Sequence, residues 1–224
     1  GAPSELATGQ LDYWKSALAD LPDVIELPTD RSRPARFTYR GGAVPLGVDA
    51  PTLRGLRALA ADHGVSMFML MHAAVAALLS KSGAGEDIPL GTPVSGRRDA
   101  SLEPLVGFFL NTLVLRADLS GDPTVAQLLD RVRATDFAAF ENQDVPFDQV
   151  VDAVSGRRAG VRSVHPLFQT MIVYLTQPDP TQLLGGGITP QPIEPDTSKF
   201  DLSFDFVEYT GLAGADAGES ADVV

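Results

Sequence analysis

Apolar residues recur along this chain at two spacings, and each spacing predicts its own kind of element. Leu11, Trp14 and Leu18 fall three and four residues apart, the spacing of one helix face, and predict a helix over residues 8–20. The next stretch, LPDVIELPTDRSRPA, carries three prolines and mixed charge, and reads as a connector. Val44, Leu46 and Val48 alternate, as in a short strand. Asp49 then caps a helix with Pro51 in its first turn; Leu53, Leu56 and Leu59 form its inner face and Gly64 stops it. Ser66 opens a helix over 67–82 that is apolar nearly all round, which predicts a central, buried position; Gly83 and Gly85 end it.

DIPLGTPVSGR reads as a strand running into a loop. VGFFLNTLVLR, residues 106–116, is apolar on both faces and predicts a central strand covered on each side. Val125, Leu128, Leu129, Val132 and Phe140 mark an amphipathic helix. Asp144 and Pro146 open another, with Phe147, Val150, Val151 and Val154 inward and Gly156 at its close. PLFQTMIVYL is a strand. In KFDLSFDF, Phe200, Leu202, Phe204 and Phe206 face one way and Asp201, Ser203 and Asp205 the other. Residues 177–197 are a proline- and glycine-rich excursion, residues 1–7 a linker or tag remnant, and residues 209–224 an acidic, disordered tail. Strands and helices alternate, so the fold class is α/β: a layered mixed sheet with helices packed on it, in one domain over residues 8–208.

Composition narrows the function classes. A net charge of −12 argues against nucleic acid, which needs a basic face, and against anionic membrane surfaces. The longest apolar run, near residues 67–79, is short of the ~20 residues that span a bilayer. The chain contains no cysteine, so it has neither disulfides nor a thiolate of its own. No secretory signal is legible, and a cytoplasmic location is expected.

The candidate chemistry is sparse. His63, His72 and His165 match no metal-ligand spacing, and His72 on the buried helix reads as a hydrogen-bonded core histidine. Ser95 lacks the glycine of a nucleophile elbow, and the glycines at 185–187 lack the Lys-Ser/Thr of a phosphate loop. Asp201 and Asp205 share a strand face and read as solvated. Asn111 and Thr112 interrupt an otherwise apolar run. An unpaired amide in a dry core costs roughly 1–3 kcal/mol, so these side chains either find partners inside the fold or face a wet cavity. In NQDVPFD, the helix start explains Asp144, Pro146 and Phe147 but leaves Asn142 and Gln143 unexplained.

VGFFLNTLVLR, then NQDVPFD, then HPLFQ, together with LDYWKSALADLP, LPTDRSRPA, IPLGTPVSGR and TSKFDLSF in that order, resemble the later part of a nonribosomal peptide synthetase condensation domain over about residues 8–208. The family patterns are [IV]-G-x-F-V-N-T-[QL]-[CA]-x-R, [HN]-Q-D-x-P-F-E and R-D-x-S-R-N-P-L. Gly107, Phe109, Asn111, Thr112 and Arg116 match the first. Asn142, Gln143, Asp144, Pro146 and Phe147 match the second, with Asp148 in place of glutamate. Pro166 and Leu167 match the third, with Val164 and His165 at the Arg and Asn positions. The family's HHxxxDG motif is absent, and no two histidines are adjacent.

The resemblance implies the C-terminal lobe of a fold like chloramphenicol acetyltransferase, with the catalytic histidine on the other lobe and this lobe inactive alone. It implies Asn111 and Thr112 at a substrate tunnel, and Arg97 in a salt bridge to the HHxxxDG aspartate and hence unpaired in this chain. It implies residues 177–197 as a latch onto the missing N-terminal lobe. No cofactor is expected to bind directly; phosphopantetheine arrives on peptidyl or acyl carrier proteins, with an adenylation domain in the same assembly line. Self-association through the exposed seam is an expected consequence. The rivals are an epimerization-domain lobe, disfavoured because E-G-H-G-R-E is absent, and a carrier-binding docking module.

Overall fold

The computed structural model describes residues 5–155, 164–178 and 196–210. Helices α1 (Glu5–Ala17), α2 (Ala50–Asp62), α3 (Met67–Leu79), α4 (Val125–Glu141) and α5 (Phe147–Ser155) surround four strands. These are β1 (Asp87–Val94), β2 (Asn111–Asp118), β3 (Thr170–Pro178) and β4 (Leu202–Thr210), in the sheet order β2-β1-β3-β4. β1 pairs antiparallel with β2; β1 with β3 and β3 with β4 run parallel. The mixed α/β sheet with packed helices is the expected class.

Local chemistry explains most element ends. The Asp49 carboxylate accepts from the Thr52 N–H at 2.8 Å, and the Ser66 hydroxyl accepts from the Met69 N–H at 3.1 Å. Thr124 and Gln127 close a capping box on α4 that the sequence reading did not single out. Eight of the thirteen residues of α3 are buried, as its all-round apolarity requires. A π turn, Ser80–Ala84, extends α3, and Gly83 there has φ +100°. Met67–Ala84 is thus long and apolar enough to cross a membrane by composition, yet Met69, Val75, Ala76 and Leu79 lie in the protein core.

Several expectations fail, each for a physical reason. VGFFLNTLVLR is not a central strand. β2 begins at Asn111 and lies at the sheet edge; its apolar middle is buried because α4 and α5 both pack on it. Residues 106–110 lie outside any strand and are largely exposed. Val44 (91% exposed) and Leu46 form no strand, because no neighbouring strand pairs with their alternation. Helix α1 starts at Glu5, so part of the presumed linker is folded, and it ends at Ala17, three residues before Asp20 turns to φ +55°. Residues 166–169 precede β3 as a loop in which Leu167 has φ +67°. β4 runs on to Thr210, so the expected tail begins within the strand, and residues 211–224 lie outside the described residues. Of the expected latch, 179–195 lie outside the described residues; Gln177 and Pro178 belong to β3, and Thr197 bridges to Arg40.

Candidate functional site

The start of the first motif and the whole of the second meet where β1 ends, while Arg116 lies at the opposite end of β2 and Pro166 and Leu167 precede β3. β1 ends at Val94, opposite Asn111 at the start of β2, so the loop after β1, the start of β2 and the carboxyl ends of β3 and β4 share one edge of the sheet. The turn at residues 142–147 between α4 and α5 docks there through Asn111. Its amide nitrogen donates to the carbonyls of Gln143 and Val145, both at 2.9 Å, and its carbonyl oxygen accepts from the Phe147 N–H at 3.0 Å. The side-chain amide is used on both sides, which supplies the partners its polarity demands. Thr112 is half-buried opposite Pro93.

The rest of NQDVPFD is tied in the same way. The Asn142 side chain caps the end of α4, donating to the Ala138 carbonyl at 2.8 Å, while the Asn142 backbone carbonyl accepts from the Trp14 indole N–H at 2.8 Å. Gln143 donates to the Phe140 carbonyl at 2.6 Å. The Asp144 carboxylate accepts from Gln10 Nε2 (2.9 Å) and Arg98 Nη1 (2.8 Å), and its N–H donates back to Gln10 Oε1 (3.1 Å). The Pro146 carbonyl accepts from the N–H groups of Gln149 and Val150, starting α5. Asp148, on the exposed side, accepts from the Gln149 N–H at 2.9 Å. Asn142 and Gln143, which the helix start left unexplained, are therefore the polar half of a staple joining α1, α4, α5 and β2. Gln10 was missed in the sequence. Its signal was available: it lies four residues before Trp14, on the face of α1 that turns inward.

Arg97 is half-buried and is not unpaired. Its guanidinium donates to the carbonyls of Leu102, Glu103 (3.4 Å) and Leu105 (2.9 Å) and lies 4.1 Å above the Phe109 ring. It shapes the loop that presents Val106 (104% exposed) and Phe108 (87%) to solvent. Gly96, at φ +63°, is needed here: a Cβ would stand 2.0 Å from the Phe109 carbonyl oxygen. Gly107 is exposed in the same loop. Arg116 grips both Asp87 carboxylate oxygens (2.8 and 2.7 Å) and the Ala17 and Ala19 carbonyls, fastening the end of α1 to the sheet. The hydrogen bonds to Asp87 raise its pKa further.

The histidines have separate surroundings. His72 and Asp136, both fully buried, meet at 2.9 Å, as expected of a core histidine; Asp136 was not foreseen as its partner. The His165 ring packs among Phe147, Phe168 and Phe200, and its Nδ1–H points at the Pro166 (3.0 Å) and Phe168 (3.2 Å) carbonyls. Burial pushes its imidazole below the ordinary range. The His63 carbonyl, after α2, accepts from Arg133. Among the described residues no cluster of three or more His, Asp or Glu is arranged to hold a metal ion.

Asp201 pairs with Arg33, and Ser203 donates to Asp205, so the strand-face carboxylates have ordinary partners. A cavity of about 200 Å³ opens near Thr92, Pro93 and Tyr174 at this same edge.

Comparison with known proteins accounts for this arrangement. The Condensation domain family profile matches residues 2–213. A dimodular nonribosomal peptide synthase of Bacillus subtilis (strain 168) is 47% identical over 177 residues, 79% of this chain and 7% of that protein. The X-domain from teicoplanin biosynthesis superposes with a TM-score of 0.82 at 28% identity, over 98% of this chain and 48% of that one. The X-domain in its complex with OxyB does so with a TM-score of 0.81 at 29% identity, over 97% of this chain and 46% of that one. The chain therefore spans about half of these solved domains and a small part of the full-length relative. It belongs to the condensation domain family of nonribosomal peptide synthetases and forms one lobe of such a domain.

Proposed function

We propose that this lobe forms one wall of the compartment in which a condensation domain makes an amide bond, and that it is inactive alone. In that reaction the amine of one carrier-tethered aminoacyl group attacks the thioester carbonyl of another. The C–N bond forms, the C–S bond breaks, and the departing thiolate takes up the proton the amine loses. Some base must hold that proton on the way. The observation that carries the reading is the coverage: nearly all of the chain matches 48% of the X-domain, as one lobe of two would. Two of the chain's three histidines support the second half of the proposal. His72 is sealed against Asp136, and His165 is wedged among aromatic rings with Nδ1 engaged on carbonyls.

The apolar loop at 105–110 is then part of the seam with the other lobe, or the face through which isolated lobes associate, and Asn111 and Thr112 stand at the rim of the tunnel. The carbonyls take both Nη1 donors and one Nη2 donor of Arg97, which leaves guanidinium donors for the carboxylate of the other lobe. The natural partners are carrier proteins bearing phosphopantetheine and the adenylation domain of a cytoplasmic assembly line.

A second reading, a platform that docks another protein, is favoured by the likeness to an X-domain solved in complex with OxyB. The test is to assay amide formation between two loaded carriers with this chain alone, with the complementary lobe alone, and with both. The proposal expects product only from both. Product from this chain alone overturns it, and carrier binding without product from both favours the platform.

A further inference from the structure

We infer that the cavity between β1 and β3 receives the uncharged, apolar side chain of a carrier-tethered aminoacyl or acyl group. The inference rests on the condensation reading above and adds a specificity pocket to it.

The sheet is split at this point. β1 and β2 pair over eight residues and β3 and β4 over nine, but β1 and β3 pair only at Leu90–Thr170 and Gly91–Met171. Beside the pairing, a Cβ on Gly91 would stand 2.2 Å from the Phe168 ring, so only glycine lets that ring lie against the strand there. Beyond Gly91 the strands separate, though each continues. Clefts outside the carboxyl ends of parallel strands are where α/β sheets take ligands.

The split contains the cavity of about 200 Å³. Thr92 and Pro93 of β1 line one side, and Val173, Tyr174 and Leu175 of β3 the other. Consecutive strand residues point to opposite faces, so a space that touches three in a row reaches into the split between the strands as well as the helix-covered side. Phe68 on α3 and Phe140 on α4, whose rings meet edge to face at 6.0 Å, line it from the helix side. The Tyr174 hydroxyl is spent on Glu208, which Arg57 of α2 also grips, so Tyr174 offers its ring as wall.

Size and chemistry select the occupant. An apolar cavity of about 150 Å³ holds benzene, so a phenyl or branched aliphatic group fits. No Asp, Glu, Lys, Arg or His lines the cavity, and a charged group would lose its hydration without a partner. Position selects the source. Pro93 stands opposite Thr112 in the ladder, one step from the Val94–Asn111 pair, so the cavity opens beside the motif residues at the sheet edge. Leu175, 44% exposed, marks its mouth.

The first arm titrates this chain with toluene and follows methyl and aromatic NMR signals. Saturable shifts at Val173, Leu175, Phe68 and Phe140 are expected. Val173→Phe, which fills the cavity, weakens toluene at least tenfold, and Tyr174→Phe, which keeps the ring, does not. If Val173→Phe fails to fold, Leu175→Trp at the exposed mouth takes its place. Absence of shifts at these residues, or undiminished binding in the filled variant, overturns the inference.

The second arm uses the complete two-lobe protein with carriers bearing phenylalanyl or glycyl groups, varied first on the donor and then on the acceptor carrier. The filled variant is expected to lose at least tenfold in kcat/KM for phenylalanyl on one of the two and to keep its glycyl rate. Equal effects on both groups overturn the inference. No amide from any protein fails the condensation reading while leaving the toluene result standing.

Discussion

The two halves of VGFFLNTLVLR behave oppositely although both are apolar. From Asn111 onward every large apolar side chain is enclosed: Leu113, Val114 and Leu115 are at most 2% exposed, and the half-buried polar members Asn111 and Arg116 are tied to carbonyls and a carboxylate. From Val106 to Leu110 the large residues face water, except Phe109 beneath Arg97. The first half carries the chemistry of an interface and the second that of a core. Apolarity alone does not report burial within this chain, and an exposed apolar run is the kind of surface that takes part in contacts.

The sharpest way to break that comparison is Asn111→Leu. It leaves two carbonyls and one N–H of the turn without partners, at about 1 kcal/mol each. The expected loss is about 3 kcal/mol, read as a lowered denaturation midpoint. An unchanged midpoint with lost turnover in the two-lobe protein would show that Asn111 serves the tunnel and not the fold. Arg116→Met should cost less, about 1–2 kcal/mol, because its partly exposed pair with Asp87 is screened by solvent. Its distinctive readout is faster hydrogen exchange in α1, which it fastens to β1 and β2.

Val106→Ser with Phe108→Ser should leave the chain's own stability within about 0.5 kcal/mol, as for exposed positions. The same pair should weaken association with the complementary lobe, or self-association, at least tenfold by sedimentation. A large loss of chain stability would place the loop in the core and erase the contrast.

The smallest effect concerns pH. Burial holds the His165 pKa below its ordinary 6.5, so the unfolded chain takes up the proton first as pH falls. That contribution to stability is whole above about pH 7 and declines as pH drops through 6.5. His165→Asn should flatten the stability profile between pH 7 and 5 relative to the parent chain. An unaltered slope would mean that the ring cluster admits the charged imidazole.

Much of this was legible in the residue order. The caps at Asp49 and Ser66, the buried α3, the α5 face and the Phe204–Phe206 alternation are local patterns, and local patterns survive folding. The motif turn was legible as a group but not as a mechanism, because its partners Gln10 and Asn111 lie 134 and 32–36 residues away. The strand expected at 44–48 failed for the same reason: alternation is necessary for a half-buried strand, but pairing comes from elsewhere in the chain.

By itself, then, the sequence determined which segments are helical, which apolar runs seek cover, and the kinship that its ordered motifs carry. The tertiary structure decided that β2 is an edge, that the polar motif residues bind one another across four elements, and that β1 and β3 part to leave a cavity. Spacing along a chain encodes the face a residue presents. Which distant segment meets that face depends on how all the faces pack together.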